Sequence, residues 1–222
     1  MIKNLLINEF IKVSYKKRTY ISFALITVLI PFIVLAVKSG GGSLESKLYG
    51  QLADSFIFVG SLVNGNLSAY IIIAILISHM PFLSTIVASE IVSGEYSKGT
   101  FRMYLTRPVS RNLVLFSKLI IVLGYTTLMM FYFVMYTLLV SRLIIGNGDL
   151  VVFHEGLLVL DAYDTVWRFF LSFWLSNILM LTVTCLCFMI STLSKNSVTP
   201  IIVTISIVFV GTAVAFIPIE FF

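Results

Sequence analysis

Long apolar segments without charged residues alternate with short charged segments along this chain. A bilayer core of about 30 Å is crossed by about 20 helical residues at 1.5 Å each, so an apolar run of that length predicts a membrane-spanning helix. Five runs reach or approach that length, at residues 20–37, 67–88, 113–140, 166–190 and 198–217. The pattern therefore predicts an all-α fold, a polytopic transmembrane helical bundle forming a single domain over residues 1–222.

The overall composition is that of a protein embedded in a lipid bilayer. Hydrophobic residues make up 59% of the chain, charged residues only 11%, and the mean hydropathy is +1.06. Soluble proteins average about 25% charged residues. The formal net charge of +5 is compatible with nucleic-acid binding, but a basic excess in a membrane protein is first a topology signal. We therefore predict no nucleic-acid partner.

The basic residues are distributed unevenly. They are concentrated in residues 1–18 and 88–118, whereas the loop 38–66 is balanced and the loop 141–165 is acidic. Cytoplasmic loops carry an excess of Lys and Arg. If the chain crosses the membrane at each predicted span, eleven of the fifteen Lys and Arg residues fall on the cytoplasmic side. This predicts a multi-pass protein of the cell membrane with a cytoplasmic amino terminus and an external carboxyl end.

Residues 1–18 precede the first span. Apolar residues recur there at helical spacing, with Glu9 and the lysines mostly on the other side: Ile2, Leu5, Leu6, Phe10 and Val13. This predicts a helix lying in the cytoplasmic interface, the alternative being a disordered basic tail. The following apolar stretch exceeds the 7–15 residues of a signal-peptide core, which favours a retained span over a cleaved signal.

No constellation of catalytic or metal-binding residues is visible. The phosphate-binding pattern GxxxxGK[ST] is absent, no nucleophile and base can be paired, and His79 and His154 stand far apart. Cys185 and Cys187 fall in one span, where small apolar packing is the simplest role. We predict no catalytic residue, no metal and no cofactor. The chain is not expected to be an enzyme.

Polar residues inside the spans define a possible translocation path through His79, Thr126 and Asn177. The alternatives are interhelical hydrogen bonds for the threonine and the amide, and a packed neutral side chain for the histidine. The spans contain no acidic residue. An ion-coupled transporter usually needs such a residue within a span as a ligand for the coupling ion. If the chain transports a substrate, its energy is expected to come from another subunit.

Residues 90–111 form a charged connection between the second and third spans. A short cytoplasmic helix is predicted between residues 90 and 106, with an apolar face of Phe101, Tyr104 and Leu105. Arg107 precedes Pro108 and favours an extended backbone, so this helix should stop there. Ser110 or the turn at Pro108 would then begin the third span. The alternative is a solvated connector with positive anchors.

The stretch EIVSGEYSKGTFRMYLTRPVSRNLVLFSK resembles the motif of permease subunits of type-2 ABC exporters. The matching elements are an acid, a Gly-Thr pair, a Pro-x-Ser-Arg turn and a lysine, here Glu95, Gly99-Thr100, Pro108 to Arg111 and Lys118. The resemblance implies a coupling segment that docks on a separate ATP-binding subunit. It also implies two permeases, as a homodimer or heterodimer, with two ATPases. The implied coupling residues are Glu95, Gly99, Thr100, Phe101, Tyr104, Arg107, Pro108, Ser110 and Arg111.

The sequence is also similar, less specifically, to the bacitracin-resistance and multidrug branch of these exporters. Family members usually have six spans, so either this sequence is a truncated or short member, or an element has been missed in the long third span or in the apolar run 150–160. Leu157, Leu158, Leu160 and Trp167 suit an external amphipathic or re-entrant helix, or else a loop resting on the bilayer. The predicted function is the membrane-spanning permease subunit of an ATP-driven exporter. The alternatives are a non-transporting membrane scaffold or assembly subunit and an ion-coupled secondary transporter.

Overall fold

The computed structural model describes residues 2–41, 63–97, 99, 110–153 and 157–215. Within these residues the chain forms seven α-helices, one short 3-10 turn and one β-hairpin. The helices are α1 (Ile2–Tyr15), α2 (Lys17–Ser39), α3 (Gly65–Leu76), α4 (Met80–Ser97), α5 (Arg111–Ile145), α6 (Ala162–Leu193) and α7 (Val198–Ala215). The turn Ile77–His79 joins α3 to α4, and the strands β1 (Leu150–Phe153) and β2 (Leu157–Leu160) lie between α5 and α6.

Four helical stretches in the described residues are long and apolar enough to cross a membrane. They are Lys17–Ser39, Gly65–Ser97, Arg111–Ile145 and Asp164–Leu193. The predicted polytopic helical bundle is confirmed, and these four stretches contain the first four predicted spans. The fifth predicted span corresponds to α7, whose described apolar part, Val198–Val214, is shorter than the other four. Its crossing of the membrane stays a prediction.

The chain divides into two compact units. The first comprises residues Met1–Ser22, His79–Met129 and Asn177–Phe222, and the second comprises Phe23–Ser78 and Met130–Ser176. Helices α2, α5 and α6 therefore each contribute one part to each unit. In the first unit, α4 and α7 pack against each other along much of their length. Buried residues of α4, including Ala88 and Ile91, form part of the core of that unit.

The predicted second span is interrupted at the turn Ile77–His79. Pro81, the second residue of α4, explains the interruption. Proline lacks a backbone N–H, and its ring clashes with the carbonyl group four residues earlier, which here belongs to Ile77. Pro31 lies inside α2, which nevertheless remains one helix. The sequence did not distinguish these two positions.

The run 150–160 forms a β-hairpin within the second unit. Strands β1 and β2 are antiparallel, with Leu150 opposite Leu160 and Phe153 opposite Leu157. Leu150 and Leu160 are buried against Leu67 of α3, whereas Val159 is exposed, as the two-residue period of a strand requires. The prediction of an amphipathic or re-entrant helix over Leu157, Leu158 and Leu160 is therefore wrong. Trp167 does lie in a helix, but in α6.

The amino-terminal residues form the predicted helix, α1, which ends at Tyr15. Phe10 is 61% exposed and Val13 is buried, so the apolar residues do not all share one environment. Glu9, which the sequence placed on the outer polar side with the lysines, is buried. That assignment is wrong because the charge of Glu9 is matched inside the protein rather than by water. Whether α1 lies in a membrane interface stays a prediction.

Candidate functional site

A buried group of charged side chains lies in the first unit. Lys118 is 0% exposed, and its Nζ atom lies 2.8 Å from Oε2 of Glu9 and 2.8 Å from Oε2 of Glu95. The same ammonium group donates a third hydrogen bond to the carbonyl oxygen of Ile91 at 3.3 Å. Lys12 approaches both carboxylates at 3.7 Å. We call Glu9, Lys12, Glu95 and Lys118 the charge cluster.

Three helices supply the charge cluster. Glu9 and Lys12 lie three residues apart on α1, Glu95 lies near the end of α4, and Lys118 lies near the beginning of α5. Two carboxylates face two ammonium groups, so the cluster carries no net charge when all four groups are ionised. Removing charges from water is costly unless they are paired and hydrogen-bonded. The three donor positions of the Lys118 ammonium group are all occupied, which meets that requirement.

A second ion pair joins α2 to α4. Nη1 of Arg18 donates to Oε2 of Glu90 at 2.7 Å, and the carboxylate of Glu90 is buried although Arg18 is exposed. The side chain of Glu90 runs along Gly94, where an added Cβ would lie 2.8 Å from Cγ of Glu90. Glycine at this position therefore leaves room for the acid one turn earlier.

The last turn of α4 was expected to belong to a separate cytoplasmic helix. Instead, α4 continues without a break from Met80 to Ser97, so Glu90 and Glu95 belong to the same helix as the end of the second predicted span. The helix ends where Gly99 adopts a φ of +71° and its N–H donates to the carbonyl oxygen of Tyr96 at 3.0 Å. Only glycine adopts this conformation without a Cβ penalty.

The beginning of α5 agrees with one of the two predicted starting points. The carbonyl oxygen of Ser110 accepts hydrogen bonds from the N–H groups of Leu113 and Val114 at 3.1 and 3.3 Å, and Arg111 is the first helical residue. Both Ser110 and Arg111 are exposed. The other predicted coupling residues lie outside the described residues: Thr100, Phe101, Tyr104, Arg107 and Pro108.

The charge cluster thus brings together two residues of the motif, Glu95 and Lys118, and two residues of α1, Glu9 and Lys12, which sequence reasoning did not place there. Glu95 and Lys118 precede and follow residues 98–109, and their side chains meet directly. Glu9 was missed because its helical position suggested a solvated polar side. The available signal was that Lys118 was a base at the start of an apolar segment, while Glu9 was the single acid among the bases of residues 1–18.

Hydroxyl groups join α4 to α6 within the first unit. Oγ of Ser191 donates to the carbonyl oxygen of Ser89 at 2.9 Å and to Oγ of Ser93 at 3.1 Å. The N–H of Ser93 donates back to Oγ of Ser191 at 3.1 Å. All three serines are buried. Small side chains allow close helix contact in a membrane, and hydrogen bonds between them add to it.

Two residues of the possible translocation path, Thr126 and Asn177, make hydrogen bonds between helices. Oγ1 of Thr126 lies 3.1 Å from Oγ1 of Thr184, and Nδ2 of Asn177 donates to Oγ1 of Thr127 at 3.5 Å, so both residues join α5 to α6. These contacts match the alternative of interhelical hydrogen bonds. His79 lies in the turn before α4 and is exposed, which contradicts the expectation of a packed histidine.

The second unit contains an apolar cavity of about 300 Å³ between α5 and α6. Five aromatic side chains contribute to its lining: Phe131, Trp167, Phe169, Phe170 and Phe173. None of the predicted path residues lines this cavity. The volume is at the lower end of the range typical of small-molecule pockets, about 300–1,000 Å³.

Several helices of the chain are long and apolar enough to span a membrane, and buried ion pairs involve the helices that precede and follow residues 98–109. This is the architecture of a polytopic membrane protein. A family model described as ABC-2 family transporter protein matches residues 5–211 of the chain. The chain belongs to this family and is a membrane permease component of an ABC transporter. No curated protein and no solved structure matches the chain significantly.

Proposed function

We propose that this permease is driven by ATP hydrolysis in a separate ATP-binding subunit and that residues 98–109, with their flanks, form the contact with that subunit. The observation that carries the proposal is the charge cluster. Through Lys118, Glu95 and Glu9, the cluster connects three helices. They are α4, which precedes these residues, α5, which follows them, and the amino-terminal helix α1.

The geometry of the charge cluster suits the transmission of a displacement. Because Lys118 joins α5 to Glu95 of α4 and to Glu9 of α1, a displacement of one of these helix ends is passed on to the other two. Closure of two ATP-binding subunits would displace residues 98–109, and α4, α5 and α1 would follow. Rigid-body shifts of packed helices are a common way in which membrane and soluble proteins change state. The cycle of ATP binding then biases the permease between two arrangements.

The direction of transport and the class of substrate form a second part of the proposal. The resemblance of the motif that contains Glu95 and Lys118 to type-2 exporters supports outward transport. The apolar, aromatic-lined cavity of about 300 Å³ supports an amphipathic substrate with a substantial apolar part. Assignment to the bacitracin and multidrug branch rests on sequence similarity and stays a prediction. The scaffold and the secondary-transporter alternatives have no support from the family.

The proposed assembly contains two permeases and two ATP-binding subunits. The first experiment is affinity purification of the tagged full chain from native membranes, followed by assay of the eluate for ATP hydrolysis and identification of the co-purified ATP-binding protein. The complex is then reconstituted in vesicles. Wild-type permease is expected to alter the ATPase rate of its partner, and inside-out vesicles are expected to accumulate an amphipathic fluorescent dye when ATP is supplied.

Two substitutions test the contact itself. Tyr104→Ala removes an aromatic side chain from the proposed docking segment, and such an anchor is typically worth about 2 kcal/mol, or about 30-fold in affinity. Tyr96→Ala is the matched control, because Tyr96 is an exposed aromatic residue of α4 just before the segment. We expect Tyr104→Ala to weaken association with the ATP-binding subunit and Tyr96→Ala to weaken it less.

The amount and the monodispersity of the permease are measured alongside each variant. Equal association and equal ATP-driven dye accumulation for wild type and Tyr104→Ala would contradict docking through this segment. Dye accumulation that proceeds without ATP but follows a proton or sodium gradient would contradict the ATP-driven mechanism. Accumulation only in right-side-out vesicles would reverse the proposed direction while leaving the coupling contact in place.

A further inference from the structure

Polar side chains gather in the second unit where α3 begins and α5 ends. Arg142, in the last turn of α5, donates from Nε to Oδ1 of Asn66 at 2.9 Å. Nδ2 of Asn66 donates to the carbonyl oxygen of Gly148 at 2.7 Å. Ser68 and Ser141, which lie close to Asn66 and Arg142 in the sequence, are fully buried. We call Asn66, Ser68, Ser141 and Arg142 the polar cluster.

Close backbone contact holds the two helices together at the polar cluster. A Cβ added at Gly65 would lie 2.8 Å from Cα of Arg142 and 2.8 Å from the carbonyl oxygen of Ser141. The N–H of Gly65 donates to the carbonyl oxygen of Gly146 at 2.9 Å. Ser68 lies three residues after Gly65 and therefore on the same face of α3. Both serines thus belong to this helix contact.

Three polar atoms of the polar cluster are buried without a hydrogen-bond partner in the described part of the chain. They are Nη2 of Arg142, Oγ of Ser68 and Oγ of Ser141. Buried polar groups in native proteins are nearly always paired, because an unpaired one loses its hydration without compensation. Three such atoms on adjoining turns of two helices indicate that the site is completed by something other than the described residues.

The charge of the polar cluster is also unbalanced. Among the described residues Arg142 forms no salt bridge, and the side chain of the neighbouring Asp149 is exposed. A basic side chain in the last turn of a helix can donate hydrogen bonds to the last carbonyl groups of that helix. Here Nζ of Lys38 already donates to the carbonyl oxygen of Ile144 at 2.9 Å. A surplus of positive charge and of donors is complementary to an anion.

We propose that the polar cluster binds an oxyanion, a phosphate group carried by a lipid headgroup or free in solution. A guanidinium group offers two parallel N–H donors that match the oxygens of a phosphate, and the serine hydroxyl groups supply further donors. Asn66 fixes the guanidinium orientation through Nε and leaves Nη2 for the ligand. The Arg142 side chain as a whole is only partly buried, although its Nη2 atom is buried.

The test uses the full chain in lipid nanodiscs without any ATP-binding subunit. In phosphatidylcholine nanodiscs, the thermal midpoint is measured against inorganic phosphate, with chloride at equal ionic strength as reference. In a parallel series without phosphate, phosphatidylglycerol replaces part of the phosphatidylcholine. Stabilisation by inorganic phosphate identifies a site for the free ion, and stabilisation by phosphatidylglycerol alone identifies a headgroup site. Either result supports the proposal. If neither probe stabilises the protein, the proposal is overturned.

Variants separate the site from a general charge effect. Arg142→Gln is expected to weaken the apparent affinity for the stabilising probe by about tenfold or more, since a hydrogen bond to a charged group is lost. Arg142→Lys should retain part of the response because lysine keeps the positive charge. It should lose the remainder because lysine lacks the two parallel N–H donors of the guanidinium group. Arg168→Gln is the control, an exposed base of α6 outside the polar cluster. A response of Arg142→Gln equal to that of the wild type would overturn the proposal.

Ser141→Ala keeps the proposal testable if Arg142→Gln does not fold. The Ser141 hydroxyl group has no partner among the described residues, so its removal should leave the stability without phosphate unchanged or higher. The same substitution should weaken the response to the stabilising probe. A lower stability with an undiminished response would show that the hydroxyl group serves packing, which would contradict its role as a ligand donor. Because no ATP-binding subunit is present, these results are independent of the proposed coupling contact.

Discussion

The ammonium group of Lys118 lies 2.8 Å from the carboxylate of Glu9, although 109 residues separate them in the chain. Lys118 is fully buried and also contacts Glu95 at 2.8 Å, so one lysine pairs with carboxylates from two different helices. This arrangement makes the amino-terminal helix α1 part of the same structural unit as α4 and α5. The ends of α4 and α5 that adjoin residues 98–109 are therefore joined by an ion pair.

Replacing Lys118 by methionine should strongly destabilise the protein. The substitution preserves much of the side-chain volume but leaves Glu9 and Glu95 buried beside each other, with Lys12 more distant at 3.7 Å from each. Removing one partner of a buried ion pair typically costs about 3–5 kcal/mol. The thermal midpoint of the full chain in nanodiscs should fall well below that of Arg111→Met, a control at an exposed base of the same helix.

Neutralising the whole group should restore much of this loss. In the triple variant Glu9→Gln, Glu95→Gln, Lys118→Met, no buried charge is left without a partner, and replacing a complete buried ion pair is often nearly neutral. Its thermal midpoint is expected to lie closer to the wild type than to Lys118→Met. A triple variant less stable than Lys118→Met would show that the carboxylates do not repel each other in the single variant.

Ser191→Ala should loosen the contact between α4 and α6. The Ser191 hydroxyl group accepts from the N–H of Ser93, and its single hydrogen is shared between the carbonyl oxygen of Ser89 and Oγ of Ser93, so its loss removes the hydrogen bonds that join α6 to α4 in this buried site. Hydrogen bonds between transmembrane helices are worth about 0.6 kcal/mol on average, and we expect a total loss of about 1–2 kcal/mol.

The matched control is Thr192→Ala. The Thr192 hydroxyl group is exposed and bonds the carbonyl oxygen of Met189 in its own helix at 2.7 Å. The thermal midpoints of the two variants are compared in the same nanodiscs. A decrease for Thr192→Ala as large as that for Ser191→Ala would indicate a general effect of substitution in this part of α6 rather than loss of the contact with α4.

Gly99→Ala should destabilise the end of α4. Gly99 has a φ of +71°, where a Cβ costs about 1 kcal/mol or more. Gly124→Ala should act in the opposite direction, because Gly124 lies inside α5 and an added Cβ meets no atom within 4 Å. Alanine in a helix interior is favoured over glycine by about 0.5–1 kcal/mol. Thermal midpoints of the two variants should therefore lie on opposite sides of the wild-type value.

Single cysteines should report the predicted topology. In a background with Cys185→Ser and Cys187→Ala, cysteine at exposed Ser97 should react with a membrane-impermeant maleimide only from the cytoplasmic side. Cysteine at exposed Asp161 should react only from outside. The expectation follows from the concentration of bases around residues 1–18 and 88–118. The opposite pattern would reject the orientation, and labelling of both from one side would mean that the number of spans between them is wrong.

The sequence by itself determined the helical, membrane-spanning character of this protein. Apolar runs long enough to cross a bilayer leave few alternatives, because every backbone polar group in lipid must be bonded within its own segment or barrel. It also showed the residues of the motif, but the contact between Glu95 and Lys118 was not predicted. The break at the turn Ile77–His79 is explained by Pro81, but the same residue type at Pro31 causes no break.

Only the tertiary structure decided the environment of Glu9, the hairpin and the polar cluster. Helical periodicity tells which residues share a face but not what that face contacts, so the burial of Glu9 depended on a lysine more than a hundred residues away. The run 150–160 is too short for periodicity to separate strand from helix, and its strand form depended on Leu67 of α3 covering Leu150 and Leu160. Likewise, Arg142 and Asn66 meet because Gly65 lets two helices touch, a contact between distant segments that no local pattern encodes.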